Sequence, residues 1–177
     1  HARVTRDTAV GRDERWSMDF VTDRLENGSS FRILTVVDQY TRECLALKAG
    51  HSLKGGDVAK CLSGLLEERQ APRSITVDNG SEFYSQEMDS WAYRHGIELD
   101  FIRPGKPVEN AYIESFNGRL GDECLNTHLF DDLMDAQAKL ACWQKDYNEE
   151  RPHGNLGSLT PAEFAENKKP PNPAGKT

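Results

Sequence analysis

Three carboxylates in this chain are hard to read as ordinary surface charge. Asp19 lies inside Trp16-Ser17-Met18-Asp19-Phe20-Val21, with apolar neighbours on both sides. Asp78 closes the apolar run Ile75-Thr76-Val77 and leads straight into Asn79-Gly80. Glu114 falls inside a helical pattern whose apolar positions are Ile113, Phe116 and Leu120, and thirty-five residues, 79 to 113, separate it from Asp78. A carboxylate among buried residues costs free energy unless a partner compensates it. Three of them from separate segments point to a shared partner, most simply a pair of divalent cations. Like charges gathered in a low-dielectric site repel strongly, and magnesium or manganese removes that repulsion. Two such ions about 3.5–4 Å apart activate an attacking water or hydroxyl and stabilise the leaving oxygen of a phosphodiester.

Each acid also has an ordinary reading. Asp23, Asp38 and Glu82 lie near strand ends too, and carboxylates are common in turns. Asp78-Asn79-Gly80 taken alone fits a plain loop equally well. Glu109 competes with Glu114, but five residues on a helix is a rotation of about 140°, so the two do not face the same ions. Glu114 lies deeper in the helical pattern and is preferred.

The elements that would position these acids follow from periodicity. Trp16 to Thr22 alternates as a strand, with Trp16, Met18 and Phe20 on one face and Ser17, Asp19 and Val21 on the other. A turn at Glu26-Asn27-Gly28-Ser29 and a second strand, Phe31 to Val37, make a hairpin. Cys44 to Ala49 is a third strand. Leu53, Val58, Cys61, Leu62, Leu65 and Leu66 then give a helical stripe over Ser52 to Gln70, stopped by Pro72. Ser74 to Val77 is a fourth strand. Ser85 caps a helix with Met88, Trp91 and Ala92 inward, and Gly96 ends it. Ile97 to Ile102 is a fifth strand. A loop stiffened by Pro104 and Pro107 leads to the helix of Glu114, Val108 to about Glu123. A last long helix spans Leu133 to Tyr147, and Pro161 opens a short turn. Three sequential strands predict an antiparallel half, and helix-separated strands a parallel half. The fold class expected is α/β, a mixed five-stranded sheet flanked by helices in the ribonuclease H-like arrangement. Its first and fourth strands are central neighbours, with the Glu114 helix against them. Residues 1–13 are expected to form an arm or linker, 14–166 the core and 167–177 a disordered tail.

Composition narrows the class. At 177 residues the chain fits one domain, and 37% apolar with 29% charged residues suffices for a core and a polar surface. There is no run of eighteen apolar residues, so no membrane span is expected. The start has neither a hydrophobic leader nor an initiator Met, which reads as a fragment or processed chain. Cys44, Cys61, Cys124 and Cys142 form no CxxC pair and no Cys/His cluster; they read as buried reduced thiols of a cytosolic protein rather than zinc ligands. The net charge of −7 is unfavourable for nucleic-acid binding. Two divalent ions on the acids would bring it to about −3. Much of the rest lies in residues 122–135, where Asp122, Glu123, Asp131, Asp132 and Asp135 meet no Lys or Arg.

Several segments carry a family pattern: Trp16-Ser17-Met18-Asp19-Phe20; Asp78-Asn79-Gly80-Ser81-Glu82-Phe83; Phe101-Ile102-Arg103-Pro104-Gly105-Lys106-Pro107; and Asn110-Ala111-Tyr112-Ile113-Glu114-Ser115-Phe116-Asn117-Gly118-Arg119-Leu120. Downstream come Asp146-Tyr147-Asn148-Glu149, Arg151-Pro152-His153 and Thr160-Pro161-Ala162-Glu163-Phe164. Over about residues 14–166 the chain resembles the integrase core of bacterial insertion-sequence transposases, the kind encoded by the second of two overlapping reading frames, within the wider group that includes retroviral integrases. The resemblance implies that Asp19, Asp78 and Glu114 are the catalytic metal ligands for two Mg2+ or Mn2+ ions. It implies DNA cleavage and strand transfer on element ends and target DNA. It also implies a nucleoid-associated cytoplasmic protein, at least dimeric when active, with an N-terminal helix-turn-helix region in the full-length chain. Two departures stand out: Val108-Glu109 where the family often has Thr-Gln, and Gly121 in place of a frequent basic residue.

Arg103, Lys106 and Arg119 flank the proposed metal site and suit phosphate contact, with exposed solubilising charge as the alternative. Asn110, one helical turn before Glu114, suits DNA contact or orientation of a ligand. Tyr112 suits stacking on a frayed base, with a core-covering role nearly equal. Asn117 joins the DNA-contact set by resemblance, and Arg151 and His153 are functional by resemblance alone. Trp91 and Trp143 read as core. The rival functions are a ribonuclease H-like nuclease without strand transfer, and a non-catalytic remnant that binds DNA or a partner.

Overall fold

The alternation around Trp16 does form a strand, and that strand lies at the centre of the sheet. In the computed structural model, which describes residues 8–103, 110–150, 156–157 and 159–167, the order is β1 (Arg15–Arg24), β2 (Ser30–Asp38), β3 (Cys44–Gly50), α1 (Gly55–Leu66), β4 (Ser74–Val77), α2 (Gln86–His95), β5 (Glu98–Phe101), α3 (Ala111–Glu123), α4 (Leu133–Lys145) and α5 (Pro161–Asn167). The five strands form one sheet in the order β3-β2-β1-β4-β5. β1 pairs antiparallel with β2 and parallel with β4, β2 pairs antiparallel with β3, and β4 parallel with β5. This is the expected ribonuclease H-like mixed sheet.

The two faces of β1 feed two cores. Trp16 and Met18 pack with Leu34, Ile75 and Val77 beneath α1 and α2. On the other face Val21 joins Phe31, Ile33 and Leu47 under α3 and α4, whose Ile113, Phe116, Leu140 and Trp143 point inward. Asp19, between Met18 and Phe20, therefore projects toward the α3 side. The cap signals act as expected. Ser85 accepts the N–H of Met88, and Gly96 takes the left-handed conformation (φ 64°) that glycine adopts without strain.

Several boundaries differ from expectation. The first helix stops at Leu66, and the following turn brings Arg69 to Asp13, 2.6 Å away, and to Glu43. Asp13, assigned to the arm, is buried; its N–H donates to the fully buried Asp38 at 2.7 Å, and its carboxylate accepts from Trp16 Nε1. Ala9 is buried as well. The last long helix is α-helical only to Lys145 and widens into a π turn over Asp146–Glu150. All four thiols are free, but Cys142 is exposed rather than buried. Among the described residues no helix is long and apolar enough to cross a membrane.

The outer edge of β3 is covered by side-chain amides. Gln137 accepts the N–H of Ala49 and donates to Leu47 O; Asn148 accepts the N–H of Cys44 and donates to Cys44 O, which also accepts from Gln144. An edge strand with its backbone groups so occupied offers little to a second chain.

Candidate active site

The register of β1 against β4 sets the first two acids side by side. Ser17 pairs with Thr76 in a parallel ladder. Two residues further along each strand bring Asp19 and Asp78 to the same level, just past the end of β4. Their carboxyl groups come within hydrogen-bonding reach, and burial, with the charges of Asp78 and Glu114 added, pushes the Asp19 carboxyl up to about 6. Glu114 lies exposed on the first turn of α3, where it acts on Asp19 through its charge. Among the described residues no three Asp, Glu, His or Cys side chains are gathered as a ready metal cage. The structure thus brings Asp19 and Asp78 together and holds Glu114 at the range of charge interaction.

The Asp78 turn is braced on three sides. Asp78 Oδ1 accepts the N–H of Gly80 at 2.8 Å. A Cβ on Gly80 would lie 2.9 Å from that oxygen and 3.3 Å from Glu82 Oε2, so this glycine keeps space the turn needs. Glu82 is ion-paired with Arg32 of β2, whose hydrogen bond lowers the Glu82 pKa; the same guanidinium lies 3.8 Å over Phe20. Asn79 Nδ2 donates to Ile102 O at 2.8 Å, tying the turn to the end of β5.

The residues expected to contact DNA fall into different settings. Asn117 Nδ2 donates to Asp19 Oδ2 at 3.1 Å, and its Oδ1 is buried without a hydrogen bond. It lies three residues after Glu114 and so on the same helix face, a spacing that could have indicated this role from sequence. Asn110 is the N-cap of α3 and only 3% exposed, so it presents no surface to a DNA backbone. Tyr112 is partly exposed, with the Arg42 guanidinium 3.9 Å over its ring. Arg103 is exposed just beyond β5. Arg119 is exposed five residues after Glu114, about 140° around the helix from it. Lys106, Glu109, Arg151 and His153 lie outside the described residues. Arg32, which braces the acidic turn through Glu82, was not singled out from sequence, because the two lie 50 residues apart.

A mixed five-stranded sheet thus sets two acids side by side at the ends of its central strands, with a third on the covering helix. The integrase core domain family matches residues 9–107, more than half of the chain, and a second family of the same description matches residues 95–161. The chain belongs to the integrase core domain family. It is 48% identical over 153 residues to the insertion element IS407 uncharacterized 31.7 kDa protein of Burkholderia multivorans, covering 86% of this chain and 55% of that protein. To the IS476 uncharacterized 39.2 kDa protein of Xanthomonas euvesicatoria it is 45% identical over 155 residues, 88% of this chain and 45% of that one. To the transposase InsF for insertion sequence IS3A of Escherichia coli it is 26% identical over 163 residues, 90% and 56% of the two chains. The chain thus spans about half the length of these curated relatives. Among solved structures, the simian T-cell lymphotropic virus intasome superposes with a TM-score of 0.76 at 16% identity, over 97% of this chain and 60% of that one. The HTLV-2 integrase catalytic core domain in complex with magnesium gives 0.71 at 16% identity, over 88% and 98%. At such identities these likenesses establish the fold.

Proposed function

We propose that this chain is the catalytic domain of an insertion-element transposase that cuts DNA at an element end and joins the freed 3′ hydroxyl to a second phosphodiester. The observation that carries this reading is the Asp19–Asp78 pair on adjacent central strands, with Glu114 acting on it from α3. Asp19, Asp78 and Glu114 would hold Mg2+ or Mn2+. The donor set fits: all donors are carboxylate oxygens, which hard divalent cations prefer, and burial, with the charges of Asp78 and Glu114 added, makes the ionised Asp19 costly, a cost that a bound cation would relieve. The solved HTLV-2 core of the same fold contains magnesium. Bound there, two ions would activate the attacking water or hydroxyl and stabilise the leaving oxygen.

The chain's own residues supply rigidity. Asn117 fixes one oxygen of Asp19, the Gly80 N–H fixes one of Asp78, and Glu114 projects from a helix seated on the sheet. Cleavage and joining are both in-line displacements at phosphorus, so one site serves both. Arg103, Lys106 and Arg119 are assigned to phosphate contact. Because two DNA ends must be joined, the active assembly is at least a dimer, and an N-terminal helix-turn-helix region of the longer protein selects the ends.

The experiment is a joining assay with the full-length protein, labelled end DNA and Mn2+. Cut and joined products together support the proposal. Cut products alone give a nuclease, and neither product from a folded protein gives a non-catalytic remnant.

A further inference from the structure

Tyr84 is the exposed aromatic residue nearest in sequence to Asp78, and its ring is held at the hydroxyl end and on one face. Its ring lies parallel to that of Phe101, the last residue of β5, with centroids 4.1 Å apart and planes inclined by 7°. Its hydroxyl donates to Asn79 Oδ1 at 2.5 Å, and Asn79 is itself bonded to Ile102 O. One end of the ring is thus tied to the residue after Asp78, and one face is seated on the strand that leads toward α3. Yet Tyr84 remains 53% exposed. Phe101 occupies one face of the ring.

We propose that the Tyr84–Phe101 pair is a stacking platform for one unpaired nucleobase of the DNA strand at Asp78. This deepens the proposed function and rests on it. A flat aromatic face accepts any base, because every base has a π face. In a duplex the base faces are covered by their neighbours, so the occupant is a base already out of the stack, as at a frayed or cut end. The ring is oriented before binding, so little side-chain freedom is lost when a base lands on it. Tyr112, assigned this role from sequence, is less suited: it is 37% exposed and carries Arg42 over its ring. Tyr93, at 89% exposure, makes no ring contact or side-chain hydrogen bond with the described residues, and so provides a control.

The test uses the full-length protein and two DNAs, a blunt duplex and one with a short single-stranded overhang carrying 2-aminopurine. The wild-type protein should favour the overhang and quench the 2-aminopurine by stacking. Tyr84→Leu should lose roughly fivefold to a hundredfold of that preference, the range for one base on one aromatic ring, with blunt-duplex affinity unchanged. Tyr84→Phe keeps the ring and should stay within about twofold of wild type; Tyr93→Leu should match wild type. In case Tyr84→Leu does not fold, 5-iodouracil in the overhang should photo-cross-link to Tyr84 of the wild-type protein. Unchanged overhang preference in folded Tyr84→Leu, or cross-links only elsewhere, would overturn the platform and leave the DNA reading intact. Failure of the wild-type protein to bind either DNA would overturn both.

Discussion

Replacing Asp19 by Asn should stabilise the metal-free protein at neutral pH while abolishing its chemistry. The Asp19 carboxyl is raised from an ordinary 3.8 to about 6 by burial, with Asp78 and Glu114 adding to the effect. Below pH 3.8 the group is neutral in both folded and unfolded chains, and the site costs nothing. As pH rises from there through about 6, the unfolded chain loses its proton first, so stability falls and then levels off. At about 1.4 kcal/mol per pKa unit the ceiling is roughly 3 kcal/mol. Asp19 retains some contact with water, so screening reduces this to about 1–2 kcal/mol. For a domain of this size that is a melting shift of about 2–8 °C. The Asn side chain keeps an oxygen able to accept from Asn117. The assay is thermal melting of wild type and Asp19→Asn, without divalent ions, at pH 3.5 and pH 7.5. The variant should gain at pH 7.5 and not at pH 3.5. Mn2+ at a hundred times its dissociation constant should add about 2.7 kcal/mol to wild type at pH 7.5 and far less to the variant. An equal gain at both pH values, or a loss at pH 7.5, would refute the picture of an acid held against its neighbours' charge.

Three other expectations can be checked with the same preparations. Asn117→Ala removes the donor that fixes Asp19 and should weaken metal affinity or activity about tenfold to a hundredfold, read from Mn2+ titrations of activity. Arg32→Ala releases Glu82 from β2; a partly exposed pair contributes about 1 kcal/mol or less, so the melting point should fall by at most about 4 °C, while activity falls more as the Asp78 turn loosens. Gln137→Leu strips the partners of Ala49 N–H and Leu47 C=O at the β3 edge and should cost about 1–3 kcal/mol in a melting or urea experiment, with Gln137→Glu intermediate because it keeps the acceptor.

The sequence carried the local features well. β4 was readable as Ser74 to Val77 because turn residues bound a short β-branched run, and α2 was readable because Ser85 and Gly96 mark its ends. The βββαβαβ order let β1 and β4 be central neighbours; the register that sets Asp19 level with Asp78 came from the fold. What escaped depends on contacts distant in the chain. Asp13 belongs to the core because Asp38 and Arg69, 25 and 56 residues away, meet it there. Asn148 reaches Cys44 across 104 residues from a π turn that the helical pattern of α4 gave no sign of. Asn117 was assigned to DNA by resemblance; its spacing from Glu114 marks a shared helix face, but only the fold brings Asp19, 98 residues earlier, beneath it.

In the function proposed above, Asp19, Asp78 and Glu114 act as one metal-dependent phosphoryl-transfer site. The most direct measurement is Mn2+-dependent cleavage and joining of labelled end DNA by full-length protein carrying Asp19→Asn, Asp78→Asn or Glu114→Gln, each checked for folding, with Glu109→Gln as control. Each of the three should lose both products while the control retains them. Near-normal joining by any one of the three, Glu114→Gln above all, would contradict this assignment.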